Sequence, residues 1–243
     1  MQTDVRITSA RLTAPAASVE SLHRFYGDSL GFAVRPARDG VRLQVGTDSL
    51  EFIPAPGPAR PFYHFALLVP GTRYEPARAW AEGVTPLLSR PGQTCTTFHF
   101  DAWDADACYF HDPAGNIVEL IAHRGVADGP GAAGDRFRAA ELTGISEVGV
   151  VVGDPGAAAH ALSGAGLDLW SGGTEGDDAL AFIGGQAHTL ILCAPGRPWL
   201  PTQRPAECHP VTATLRLAAG STVTATVADG KLSAGGGPAE QSS

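Results

Sequence analysis

Apolar and polar residues nearly alternate from Val5 to Ala14, which predicts a half-buried strand that Pro15 ends. Val19, Leu22, Phe25, Tyr26 and Leu30 then recur at three- and four-residue steps, one face of a helix, with Ser18 as N-cap and Gly31 as stop. Three short strands are expected next, Phe32–Arg35, Val41–Val45 and Ser49–Ile53, the first two joined at the hairpin signal Asp39-Gly40. After the Pro-rich hinge Pro54–Pro61 the order begins again. Phe62–Pro70 reads as a strand, and Thr72–Gly83 as a helix with Pro76 near its first turn, where Pro is least harmful. Thr85–Ser89, Cys95–Phe100, Ala107–His111 and Ile117–Ala122 read as strands, with a Pro/Gly/Asn turn over 112–116 before the last.

The chain therefore carries two β-α-β-β-β units, and the repeat extends to residues: Ser49-Leu50-Glu51-Phe52-Ile53 aligns with Ile117-Val118-Glu119-Leu120-Ile121. A third copy starts at Ile145–Pro155, followed by a Gly-weakened helical stretch (156–164) and strand candidates Leu167–Trp170, Ala179–Ile183 and Thr189–Cys193. Val211–Leu217 and Thr222–Val227 alternate as a hairpin, and Gly235–Ser243 is expected to be disordered. The implied organisation is units 1–57 and 58–123 paired as one domain, a linker at 124–141, a third unit with its extra hairpin at 142–232, and a tail at 233–243. With no second full copy to pair with, the third unit is expected to pack on the first pair or to meet its counterpart in a homodimer.

Composition narrows the function classes. Of 243 residues 44% are apolar, enough for a core, and no apolar run approaches the roughly 18 residues of a membrane helix. The net charge of −8 argues against nucleic acid as a partner. The N-terminus has no signal-peptide pattern, so a cytoplasmic protein is expected. Cys95, Cys108, Cys193 and Cys208 form no CxxC pair and are expected to be reduced. No nucleotide-binding or Ser-elbow motif is present.

Three segments, FYGDSLGF (25–32), YHFALLVP (63–70) and YFHDPAGNIVELI (109–121), carry a resemblance to the vicinal oxygen chelate superfamily of glyoxalases, bleomycin-resistance proteins and extradiol dioxygenases. It covers residues 5–123 well and 142–193 more weakly. The resemblance implies an α+β fold in which paired βαβββ modules form an open cupped barrel, here with a third such module. It also implies that the cup can hold a divalent metal, its ligands drawn from the first and last strands of each unit. Carried over, those positions are Ser9, Glu51, His64 and Glu119. In the third unit, Glu147 stands at the opening-strand position and Ile191 at the closing one, so that unit shows no matching pair.

The residues support this in part. Ile117, Glu119 and Ile121 share one strand face, and a carboxylate between two isoleucines needs a metal, a partner or water. Ser9 is a poor ligand for zinc, nickel, iron or manganese, which leaves His64, Glu119 and Glu51 as the metal set, with Glu119 as the candidate base. Glu51 can equally point to water. Tyr109 is expected opposite Glu119 if 112–116 is the whole loop. With Ser9, Trp103 and His99 it makes up the expected ligand pocket, although His99 also reads as a surface residue. Two functions follow: a metal-dependent lyase, isomerase or dioxygenase-like enzyme acting on a small oxygen-bearing molecule, or a metal-free protein sequestering an aromatic or cationic one.

Overall fold

The computed structural model describes residues 5–37, 40–126, 134 and 136–237. The first unit comprises β1 (Arg6–Ala14), α1 (Val19–His23, prolonged by wider turns to Ser29), β2 (Val34–Ala37), β3 (Gly40–Val45) and β4 (Asp48–Pro54). The second comprises β5 (His64–Val69), α2 (Tyr74–Glu82), β6 (Phe98–Phe100), β7 (Ala105–His111) and β8 (Ile117–His123). The third comprises β9 (Gly144–Val151), α3 (Pro155–Gly164), β10 (Leu169–Gly172), β11 (Ala181–Gly185) and β12 (His188–Cys193). A small ribbon, β13 (Pro198–Trp199) and β14 (Arg204–Pro205), leads to β15 (Val211–Arg216), β16 (Thr222–Ala228) and β17 (Lys231–Gly237). Thr85–Ser89 forms no strand and touches the sheet at one bridge, Leu87 to Phe110. Part of the expected tail, Ser233–Gly237, lies in β17 and pairs along β16. Residues 238–243 and Asp39 of the Asp39-Gly40 signal lie outside the described residues.

The pairing of units differs from expectation. Unit two joins unit three, through antiparallel contact of β5 with β9, in an eight-stranded sheet ordered β10-β11-β12-β9-β5-β8-β7-β6. Unit one instead pairs β1 with β15, so the C-terminal strands stand in for a fourth module in the sheet β17-β16-β15-β1-β4-β3-β2. Strand patterning explains the choice. β5 and β9 are buried at every position, as central strands covered on both faces must be. β15 and β16 alternate buried and partly exposed residues, and they complete β1, whose Arg6 and Arg11 also reach water. Unit three thus has its partner within the chain, and the reason for expecting a homodimer is removed.

Side chains divide by face. Phe65, Leu67, Val118, Leu120, Val148 and Val150 join Ile7, Leu12, Leu50, Phe52 and Leu215 in the core between the two sheets. The opposite faces of β5, β8 and β9 carry Ala66, Ile117, Ile121 and Val151, which pack with Phe62, Phe98, Tyr109, Ile191 and Trp199 inside the cup. The DPxGN turn fixes this geometry. Asp112, buried, accepts from the Ala114 and Asn116 backbone N–H at 2.9 and 3.1 Å, from Asn116 Nδ2 at 2.8 Å and from Tyr26 O–H at 3.0 Å. Asn116 Oδ1 in turn accepts from Tyr63 N–H at 2.8 Å. The turn therefore ties the start of β8 to the start of β5, and the resulting parallel register sets His64 beside Ile117 and Ala66 beside Glu119.

Candidate metal centre

β5 lies between β8 and β9, and Ala66 pairs with Glu119 on one side and Glu147 on the other. With no side chain beyond Cβ between them, both carboxylates converge on His64, two residues earlier on the same face. His64 Nε2 lies 3.4 Å from Glu119 Oε2 and 3.5 Å from Glu147 Oε2. One ligand atom from each residue falls within 4.8 Å of the others, and all three side chains are buried.

The protonation pattern fits a cation at this point. His64 Nδ1 lies 3.2 Å from the Ile117 carbonyl, which can only accept, so Nδ1 carries the hydrogen. In the neutral ring Nε2 then turns a lone pair toward two carboxylates, an arrangement that a metal ion or a proton must relieve. Burial, and then the charge of Glu147, push the Glu119 carboxyl well above the usual carboxylate range, against the opposing hydrogen bond from Tyr109. Burial, followed by the charges of Glu119 and Glu147, holds the Tyr109 phenol protonated far above its ordinary range. One imidazole and two carboxylates form a donor set suited to manganese or iron, and acceptable to zinc or nickel.

The triad opens into a cavity of about 250 Å³ lined by Phe100, Trp103, Tyr109, Phe182, Trp199 and Arg197. Trp199 packs 5.0 Å from the His64 ring. Its close approach depends on Gly149, where an added Cβ would lie 2.9 Å from the His64 carbonyl oxygen and 3.0 Å from the Trp199 ring.

Of the residues expected from sequence, His64, Glu119, Tyr109 and Trp103 meet here, and Tyr109 does stand opposite Glu119. Glu51 and Ser9 belong to the other sheet, since unit one does not help build this cup. Where Ala66 flanks Glu119, Arg11 flanks Glu51. Glu51 is held by Arg11 at 2.7 Å and Arg42 at 3.3 Å. Burial raises its carboxyl, but the bonds and charge of Arg11 and then of Arg42 outweigh that and leave it below its ordinary value. Ser9 pairs with Thr214 and Ser49. His99 is exposed and bonded to Asp106 at 2.8 Å and Asp101 at 3.0 Å, on the face of the strand away from the cup. Glu147 takes the place given to Glu51; its signal in the sequence was a carboxylate in the apolar run ISEVGVV at the opening-strand position. Trp199 and Arg197 come from a Pro-rich connection with no periodic signal.

His123, on the same face of β8 as Glu119, is fully buried, lies parallel to the Trp103 ring at 6.1 Å, and among the described residues makes no hydrogen bond of normal geometry at either ring nitrogen. Burial lowers its pKa from 6.5, although Glu147 and the Trp103 backbone favour the cation. The unfolded chain therefore binds this proton more readily, and its contribution to stability is lost as pH falls from about 6.5 toward the lowered folded value. His123→Phe is expected to stabilise the protein by about 1 kcal/mol at pH 7.5, since an unsatisfied buried group is removed. The gain should widen at pH 5.5. Urea unfolding at the two pH values checks both; a gain that shrinks on acidification contradicts the assignment.

No protein-family model matches this chain, and no curated protein does. Solved structures do. Glyoxalase I of Zea mays is 13% identical with a TM-score of 0.52, over 96% of this chain and 92% of that one. A Bacillus subtilis protein described as a dioxygenase is 13% identical with a TM-score of 0.55, over 94% and 84%. At such identities likeness speaks to architecture alone. Among the described residues no helix is long and apolar enough to cross a membrane. Repeated βαβββ units, a cupped sheet built from two of them and these structural counterparts together give the chain the fold of the vicinal oxygen chelate superfamily.

Proposed function

We propose that this protein is a metal-dependent enzyme acting on a small molecule with two neighbouring oxygens, which it takes into the cup formed by units two and three. The observation that carries the reading is the convergence of His64, Glu119 and Glu147, all buried, at the positions from which modules of this fold can supply ligands. A divalent ion held there would act as a Lewis acid on the two substrate oxygens. The chain supplies the rest. Trp199 and Tyr109 flank the His64 ring and restrict its movement. Tyr109 stands opposite Glu119 in the β7–β8 register, and we assign its hydroxyl to orient that carboxylate. Glu119 Oε2 is the atom we assign to take a proton from the carbon beside the bound oxygens. The aromatic walls exclude water from that carbon. The cavity is smaller than those that take drug-sized ligands, which favours a compact substrate.

A metal-free binding protein is the second reading. It is favoured by Ile191, which fills the fourth ligand position, and by the aromatic lining. Titration of the purified, metal-stripped protein with manganese, followed by the loss of the free-ion paramagnetic resonance signal, separates the two. One ion per chain is expected, and none in His64→Ala. No uptake of manganese, iron, zinc or nickel by the wild-type chain would leave only the binding reading.

A further inference from the structure

Among the described residues, Arg197 is the one basic side chain that lines the cavity apart from His64. Its Nη1 donates to the Pro198 carbonyl at 2.8 Å and its Nε to the Asp178 carbonyl at 3.4 Å. Both acceptors are backbone, so the guanidinium is held in place but not neutralised. Among the described residues no carboxylate forms an ion pair with it, although it is partly buried. Several other arginines in this fold have a carboxylate beside them: Arg6 has Asp48, Arg11 and Arg42 have Glu51, and Arg73 has Glu141. A partly buried guanidinium that lines a cavity without a carboxylate partner can receive an anion there.

We infer that Arg197 binds an anionic group, a carboxylate above all, on the molecule that the cup takes, at the end opposite its paired oxygens. The position of those oxygens rests on the metal-centre reading given above. Both ends lie close to Trp199: the guanidinium stands 5.8 Å from its ring centre, and the His64 ring stands 5.0 Å from it. The guanidinium and the His64 ring are thus no further apart than these two spans laid end to end, within reach of one substituted ring. Trp103 and Phe182, in edge contact at 4.5 Å, offer apolar surface for the body of such a molecule. Charge balance agrees. A divalent ion, two carboxylates, a neutral imidazole and a guanidinium leave one positive charge in the cup, which an anion cancels.

The test uses two pairs of probes and the quenching of cavity tryptophan fluorescence. 3,4-Dihydroxybenzoate and catechol both carry neighbouring oxygens and differ by the carboxylate; benzoate and benzyl alcohol lack neighbouring oxygens and differ in charge. With manganese-loaded wild-type protein, 3,4-dihydroxybenzoate is expected to bind about tenfold more tightly than catechol, or better. Arg197→Gln should erase that margin while manganese uptake stays at one per chain, and Arg197→Lys should keep part of it, because a point charge replaces the bidentate fork. Equal affinities within both pairs for the wild-type chain, or a margin that survives in Arg197→Gln, would overturn the inference, and the wild-type comparison needs no variant to fold. Failure of the metal reading looks different: binding would not depend on manganese, yet benzoate would still be preferred over benzyl alcohol in His64→Ala as in the wild type.

Discussion

Glu119→Gln is expected to make the metal-free protein more stable and to abolish its stabilisation by metal. The metal-free triad confines two carboxylates and one imidazole in a site shielded from water, with Nε2 3.4 and 3.5 Å from the two oxygens. Gln has the same shape. Its amide oxygen can accept the Tyr109 hydroxyl, and its amide nitrogen can donate to Glu147, so repulsion becomes a hydrogen bond. Removing a buried charge that lacks full compensation is worth about 1–2 kcal/mol, or roughly 2–8 °C in melting midpoint for a chain of this size. The wild-type protein behaves in the opposite sense once metal is present. Saturation at a hundred times the dissociation constant adds about 2.7 kcal/mol, or about 5–10 °C. The two melting curves should therefore change order between chelator and manganese. If Glu119→Gln melts lower than wild type in chelator and metal moves neither, the triad is a structural ion pair around a protonated His64, and the enzyme reading fails.

Why His64 and Glu119 were legible before the structure, while Glu147 was not assigned as a ligand, follows from what each kind of signal reports. A polar side chain in a continuous apolar run is visible as a local anomaly, and FYHFALL and IVELI both show one. The same anomaly exists in ISEVGVV, and the alignment of repeats placed Glu147 correctly. What adjacency along the chain could not show was which units share a cup. Units one and two are adjacent along the chain, and adjacent units are the natural first choice of partner. The strand patterns pointed elsewhere: β5 and β9 lack alternation and need cover on both faces, whereas β15 and β16 alternate and suit an edge that meets water. Reading alternation as a rule for choosing partners would have paired unit two with unit three. It would also have removed Glu51 from the ligand set, because Arg11 follows it in register. Trp199 and Arg197 belong to a different class. They reach the cup from a connection whose path depends on tertiary contacts, and neither spacing nor composition marks them.

The division of the chain into two sheets puts unusual weight on one side chain that joins them, and Asp48→Ala is expected to be the most destabilising of the substitutions considered. Asp48 begins β4 in the first sheet, is 1% exposed, and accepts from Arg6 Nε at 2.9 Å and from the Ile145 backbone N–H of β9 at 3.0 Å. Arg6 also donates from Nη2 to the Thr143 carbonyl at 2.8 Å, so the pair clamps both ends of the step into β9. Gly144 is required at this step, because a Cβ there would fall on Asp48 Oδ2. Truncation leaves a buried N–H and a partly buried guanidinium without their acceptor, and breaking a pair of this kind costs about 3–5 kcal/mol. For this chain that is a fall of about 6–20 °C in melting midpoint. Glu51→Ala provides the comparison. Its two arginines are about half exposed, at 53% and 49% of their side-chain surface, so water replaces the lost carboxylate and the loss should stay near 1 kcal/mol. The site distinguishes the two further. Glu147 follows Ile145 by two residues on β9, so freeing the strand's entry should weaken manganese binding by about tenfold in Asp48→Ala, a 1.4 kcal/mol effect. Glu51→Ala should bind the ion as the wild type does. Asp48→Asn, which keeps an acceptor for Ile145 N–H but gives up the charge, should fall between them in stability and hold the metal nearly normally. A Glu51→Ala protein that loses its metal would return Glu51 to the ligand set and refute the separation of the two sheets' roles.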